Sequence, residues 1–339
     1  MKINHICTLL LLFSTWCHLA VAGTCSELLV SPIPKYTVTT IPGTKVRLVN
    51  LGPAVRQFVT LAKDLPYEEQ EKLWLELIEK NHLYFYRHMV WGNQPGEINR
   101  KAFLESLFKN DFFAQAPAML EEFATFNEKA TAQVYKFLKF FRDAHLPQYI
   151  YAAPAINFDG KASRSFIVGF GIDRIIQQHA NLDVLFAHEL THIYHAWAAK
   201  RATYIPQDSV ENLLETLWKE GIAVYNSQVM NPTASAADIF MSEELAKINS
   251  AGIKDLAQNF LSDLRFPFGT VRELHAKWFQ GTSSMNHKSV PVRGGYRLGY
   301  EVIKSIAFTH NLSPWQMAHL DYQQIRDAML DTITYLAHQ

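Results

Sequence analysis

Residues 187–192 read Ala187-His188-Glu189-Leu190-Thr191-His192, two histidines four apart with a glutamate beside the first. On a helix, side chains four residues apart share a face, so both imidazoles reach a single divalent ion at the roughly 2.0–2.1 Å of a zinc–nitrogen bond. The chemistry this allows is hydrolysis: zinc acidifies a water molecule, and a carboxylate beside it takes the proton as attack begins. Glu189 is the expected general base, and His188 and His192 are the expected ligands. Around them Leu182, Leu185, Phe186, Leu190, Ile193 and Trp197 form an apolar stripe. At about 100° per residue its centre lies well over 90° around the wheel from the histidines. That separation leaves one face for a core and another for a metal, against the alternative of a structural histidine pair.

A catalytic zinc takes a third protein ligand. His195 shares the face of His188 but lies about 10 Å further along the axis at 1.5 Å per residue, too far for one ion. It reads as a residue that supports the site, contacts substrate or simply lies at the surface. A histidine six residues beyond His192 would complete a different zinc arrangement, but that position is Ala198. Downstream, Asp208 and Glu211 have the spacing of a capping box, and Val210, Leu213, Leu214, Leu217, Trp218 and Val224 follow a helical period. Glu220 borders that stripe whereas Glu215 points to water, and a carboxylate at the edge of a buried face needs a partner. Glu220 is therefore the expected third ligand, with an ordinary helix-surface glutamate as the alternative. Gly221 beside it costs about 1 kcal/mol of helix stability against Ala, and its missing side chain would let the histidine helix approach closely.

The elements that position these residues come from a chain of 339 residues, 48% hydrophobic and 19% charged, which supports one large or two ordinary domains and excludes extensive disorder. Its 32 basic residues balance 32 acidic ones, leaving no excess charge to hold nucleic acid or an anionic membrane surface. Lys2, the apolar run from Ile6 to Trp16 and Ala20-Val21-Ala22 have the form of a signal peptide over residues 1–22, cleaved before Gly23. The run is too short to cross a bilayer of about 30 Å. The expected destination is the periplasm or the medium. Of Cys7, Cys17 and Cys25 only the last survives cleavage, so no internal disulfide forms. Cys25 is a free thiol or a lipid attachment point, the latter not favoured because Thr24 precedes it.

Residues 23–146 read as a strand-like lead, Ser31 to Val49, followed by helices over 54–63, 67–90, 100–109 and 117–144. Phe123, Phe126, Val134, Phe137, Leu138 and Phe141 of the last are expected in the core. From Pro147 the β-type runs Tyr149–Ala153 and Ser165–Phe170, separated by the turn signal Asn157-Phe158-Asp159-Gly160, predict a small hairpin or sheet. Helices over 182–200 and 210–229, then from Ser242 onward with breaks at Pro267, Gly294-Gly295 and Pro314, complete a domain of residues 147–339. The expected fold class is mainly α with a small antiparallel sheet (α+β).

The His188-Glu189-x-x-His192 helix, followed by a helix bearing Trp218-Lys219-Glu220-Gly221-Ile222-Ala223, resembles the gluzincin zinc metallopeptidases. It is most similar to bacterial predicted Zn-dependent proteases with an E-G-[LI]-A third-ligand segment. Gly295-Tyr296-Arg297-Leu298-Gly299-Tyr300 is similar to a late G-Y-x-x-G-Y segment of those proteins, and the resemblance spans about residues 147–310. It implies a zincin-like core, zinc as cofactor, a peptidase-like active site and peptide or protein substrates outside the cytoplasm.

Hydrolysis builds negative charge on the former carbonyl oxygen, so a donor opposite the metal lowers the barrier. Tyr296, among glycines, is the expected donor; a core tyrosine is the alternative, and His275, His287 or Arg297 are substitutes. The run Ser165–Gly171 is either a core strand or an edge to which an extended peptide adds. A non-catalytic zinc-stabilised binding protein and a metal-dependent hydrolase of a non-peptide substrate are the competing functions. Glu189, which is no ligand, favours the enzyme.

Overall fold

A computed structural model describes residues 36–91, 96–163, 166–199, 209–265, 267, 270–280 and 290–339. The expected signal peptide, Cys25, Ser165, Asp208 and His287 lie outside the described residues. No described helix is long and apolar enough to cross a membrane.

The chain is mainly helical around one five-stranded sheet. Its strands are β1 (Thr37–Thr40), β2 (Arg47–Asn50), β3 (Tyr149–Ala153), β4 (Gly160–Ala162) and β5 (Ile167–Gly171), in the order β1-β2-β3-β5-β4. The sheet is mixed, not antiparallel as expected: β1 with β2 and β4 with β5 are antiparallel, but β3 runs parallel to both β2 and β5. Of the small hairpin or sheet expected over 149–153 and 165–170, the sheet forms: the two segments are parallel neighbours because the chain turns through β4 on the way and returns in the original direction. Parallel pairing of β2 with β3 requires a crossover, supplied by the helices between them. One sheet thus joins strands from both sides of residue 146.

The helix Phe112–Phe140 carries the expected aromatic stripe into the core, with Phe123, Phe126, Val134 and Phe137 buried. The expected single helix over 67–90 is instead a helix Tyr67–Trp74, wide π-type turns at Leu75–Glu79 and Tyr86–Val90, and a short helix between them. At the first wide turn Glu79, fully buried, meets the Arg100 guanidinium at 2.5 and 2.8 Å.

Three buried clusters organise the remaining helices, the smallest holding Val184, Val224, Phe240 and Tyr300. The histidine helix (Leu182–Ala198) contributes Phe186, Leu190 and Tyr194 to the cluster that includes the sheet and Phe112–Phe140. The glutamate helix (Val210–Met230) contributes Leu213, Leu217 and Trp218 to a second cluster. That cluster also holds Phe260, Trp278, Leu298 and Ile303, the last two from the helix Gly294–Thr309. Asn181 caps the histidine helix by accepting from the Asp183 and Val184 N–H groups. Ser209 caps the glutamate helix, one residue after the Asp208 expected there.

Candidate metal centre

The orientation of the histidine helix follows from its aromatic face. Phe186 packs on Phe170 of β5 at 4.2 Å between ring centroids and on Phe126 at 5.8 Å, while Tyr194 lies 4.8 Å from Phe141. This anchorage turns His188 and His192 toward the cleft beside β4. The helix is not half solvated, however: His188 is only 3% exposed, and Trp197 is the member of the expected stripe that reaches solvent, stacked on His145.

The glutamate helix crosses antiparallel to it. Ser227 Oγ donates to the Val184 carbonyl at 3.3 Å and Asn231 Nδ2 to the Asp183 carbonyl at 3.4 Å. Glu220 lies two and three turns before these residues on the same face, which brings it level with the histidines. His188 Nε2 and His192 Nε2 lie 3.3 and 3.4 Å from Glu220 Oε2, and 3.1 Å from each other. Among the described residues this is the group of three histidine, cysteine or carboxylate side chains whose donor atoms converge. Glu220 Oε2 is buried yet accepts no hydrogen bond. An unpartnered buried oxygen facing two imidazole nitrogens is what a cation would satisfy, so His188, His192 and Glu220 form a cluster able to hold a metal ion.

Electrostatics agree with that arrangement. Burial pushes the Glu220 carboxyl up, but the charge of His192 and the proximity of His188 outweigh it and hold the group well below the usual range. Burial lowers His188, whose ring is set by stacking on Tyr296 at 5.8 Å. Its outer nitrogen, Nδ1, is buried without a hydrogen-bond partner.

Comparison with family models, curated proteins and solved structures finds no match to this chain.

Glu189 is 5% exposed and lies against Gly160, where an added Cβ would come within 2.9 Å of both its Cγ and Oε1. Burial lifts its carboxyl to about 7, where a proton is taken up and released near neutral pH. Tyr296 lines the same cleft as Glu189 and the three cluster residues, and burial raises its phenol above the ordinary range, so it stays protonated. His275 instead bonds Asn212 at 2.8 Å, and Arg297 stacks on Phe240 at 4.7 Å. His195, expected to support the site, contact substrate or lie at the surface, is buried, with Nδ1 2.9 Å from the Ala318 carbonyl, and it lines the cleft. Glu215, expected to face water, has a side chain only 12% exposed and pairs with Lys219 at 2.7 Å.

Gly221 performs a different task from the one expected. A Cβ there would meet the Gly299 carbonyl oxygen at 2.6 Å, so it admits the helix Gly294–Thr309, not the histidine helix. Backbone contact between Gly221 and Gly299 sets the helix that carries Tyr296. Because backbone cannot yield as a flexible side chain does, Gly221→Ala is expected to destabilise the fold by about 1–3 kcal/mol, measured by urea unfolding; an unchanged midpoint would contradict the role.

The strand expected as a possible edge, β5, is an interior strand and wholly buried. The sheet's two outer strands are β1 and β4, and the β4 residues Gly160, Lys161 and Ala162 line a cleft of about 320 Å³ with the histidine–glutamate cluster. The approach to β4 is braced from two sides. Asp173 accepts from the Ala155 and Ile156 N–H groups at 2.7 and 2.9 Å, holding Ile156 at φ +42°, a strained value for a β-branched residue. Lys161 Nζ and Asn157 Nδ2 donate to the Met89 and Val90 carbonyls at 2.7 and 3.0 Å, satisfying the end of the second π-type turn. Sequence reasoning passed over Asp159, Lys161, Asp173 and Arg293. Asp159 was visible only as part of a turn signal, and the others belong to no motif.

Proposed function

We propose that the chain is an exported, zinc-dependent peptidase of gluzincin type. His188, His192 and Glu220 hold the metal, Glu189 serves as general base, and Tyr296 donates to the oxygen on which charge develops. The observation that carries the reading is the spacing of three donor atoms. Tetrahedral ligands at zinc bond lengths of about 2.0–2.1 Å lie about 3.3–3.4 Å apart, and the separations here are 3.1, 3.3 and 3.4 Å. Two imidazoles and a carboxylate also match a catalytic zinc ligand set.

Zinc, when bound, supplies a Lewis acid that makes water nucleophilic near neutral pH. The chain's own groups do the rest. Glu189 accepts the proton of the attacking water and passes it to the leaving amine, a transfer its burial beside the cluster protects from bulk solvent. Tyr296 offers a phenolic O–H to the developing oxyanion. The outermost strand β4, lying along the cleft, favours a peptide over other substrates, because an extended chain can add to a sheet edge by backbone pairing.

The test is metal analysis of the purified protein, followed by incubation with a peptide library read by mass spectrometry. We expect about one zinc per chain, cleavage abolished by chelation, and recovery on adding zinc back. A folded protein that takes up no zinc and cleaves nothing would overturn the proposal.

A further inference from the structure

Gly160, His188, Glu189 and Tyr296 line both the cleft of about 320 Å³ and a second one of about 600 Å³, so the metal cluster stands where two lobes meet. The larger lobe is walled by the apolar side chains of Phe158, Met241 and Phe279, and it also holds Arg293. Arg293 has φ +61°, a left-handed conformation uncommon outside glycine, at the entry to the helix Gly294–Thr309. Its guanidinium lies 4.3 Å from the centroid of the Tyr296 ring, which in turn stacks on His188. The left-handed backbone thus places a cation one ring, that of Tyr296, away from the cluster.

That cation has acceptors around it, the Tyr296 phenol and the nearby Asp159 and Glu220 carboxylates, but no partner that fills its fork. Its side chain is only 20% exposed, and among the described residues the one carboxylate oxygen within 4.0 Å is Asp159 Oδ2, at 3.9 Å. This is too long for a hydrogen bond. Asp159 is committed elsewhere as well, since its Oδ1 accepts from the Gly160 N–H at 2.9 Å. The Met241 sulfur, 4.0 Å away, is a weak acceptor. A guanidinium presents a planar fork suited to two carboxylate oxygens at once, and none of these contacts uses it that way.

We infer that Arg293 binds a carboxylate of the substrate in the larger lobe, next to the apolar wall and one side of the bond to be cleaved. The ligand chemistry is an apolar residue with an adjoining carboxylate, which a peptide supplies from a free C-terminus or from an Asp or Glu side chain. The inference rests on the peptidase reading for the word substrate, whereas the carboxylate site itself needs no metal.

The experiment therefore uses the full chain stripped of metal, titrated calorimetrically with N-acetyl-phenylalanine, with its amide, and with the α-amide of N-acetyl-glutamate. A charge-assisted pairing is expected to make one of the two acids bind about 10–100-fold more tightly than the neutral amide. Preference for the first acid identifies C-terminal recognition and preference for the second an acidic side chain. Arg293→Gln removes the preference, and Arg293→Lys, which keeps charge and bulk, retains only part of it. Equal binding of acids and amide, no binding of any, or a preference that survives in Arg293→Gln overturns the assignment. Should Arg293→Gln fail to fold, full retention of the preference in Arg293→Lys does the same. A chain that selects the acid but takes up no zinc sinks the peptidase reading alone, and one that takes up zinc and cleaves without regard to charge sinks this inference alone.

Discussion

Replacing Glu189 with Gln is expected to slow peptide cleavage by about 10²–10⁴-fold while the protein keeps its zinc. The two side chains have nearly the same shape, which matters because Gly160 packs directly on the carboxylate and a larger group has no room. What the amide lacks is the ability to take a proton from water. The variant's zinc content should match wild type, because Glu189 is not one of the converging donors. Rate constants on a cleaved peptide, with metal analysis of the same samples, check this. Cleavage at the wild-type rate would remove Glu189 from the mechanism, and loss of zinc would make it a ligand.

Glu220→Ala is expected to lower zinc affinity by more than the roughly 10–100-fold that follows loss of a ligand's supporting hydrogen bond. The reasoning is electrostatic: the variant leaves two neutral imidazoles and removes the only anion among the three donors. Because an ion that binds only the folded state adds stability of about 4.1 kcal/mol at a thousand times its dissociation constant, the zinc-dependent rise in melting temperature should shrink in parallel. Thermal denaturation with and without added zinc, together with chelator competition, measures both. Lys219→Ala is the control, since Lys219 lines the cleft but offers no lone pair to the ion when charged. An undiminished zinc effect in Glu220→Ala would break the three-ligand assignment.

How much of this was readable beforehand depends on whether the information was local. The convergence of His188, His192 and Glu220 followed from helical periodicity, because each side chain's direction is fixed by its own helix and a single antiparallel crossing then brings them level. The helical character of most segments was legible for the same reason. The parallel pairing of β2 with β3 was not, since residues so far apart in sequence leave no periodic trace of being neighbours. Gly221 announced a close approach, but its expected neighbour was the histidine helix, whereas the actual one is Gly299. Arg293 was hidden more completely: its importance comes from a left-handed backbone angle and a stack on Tyr296, and neither is encoded by a pattern of residue types. The contact of Asn157 and Lys161 with the 86–90 turn likewise depends on a chain reversal that no short window displays.

The central position of β3 between β2 and β5 also sets what folding must wait for. One edge of β2 has no neighbour until β3, about 100 residues further along the chain, is brought beside it. Until then a two-stranded ribbon and a set of aromatic-rich helices exist with nothing to complete them, a state prone to pairing with other chains. Aggregation during refolding from denaturant, relieved by dilution, is therefore the expected outcome, checked by light scattering at two protein concentrations.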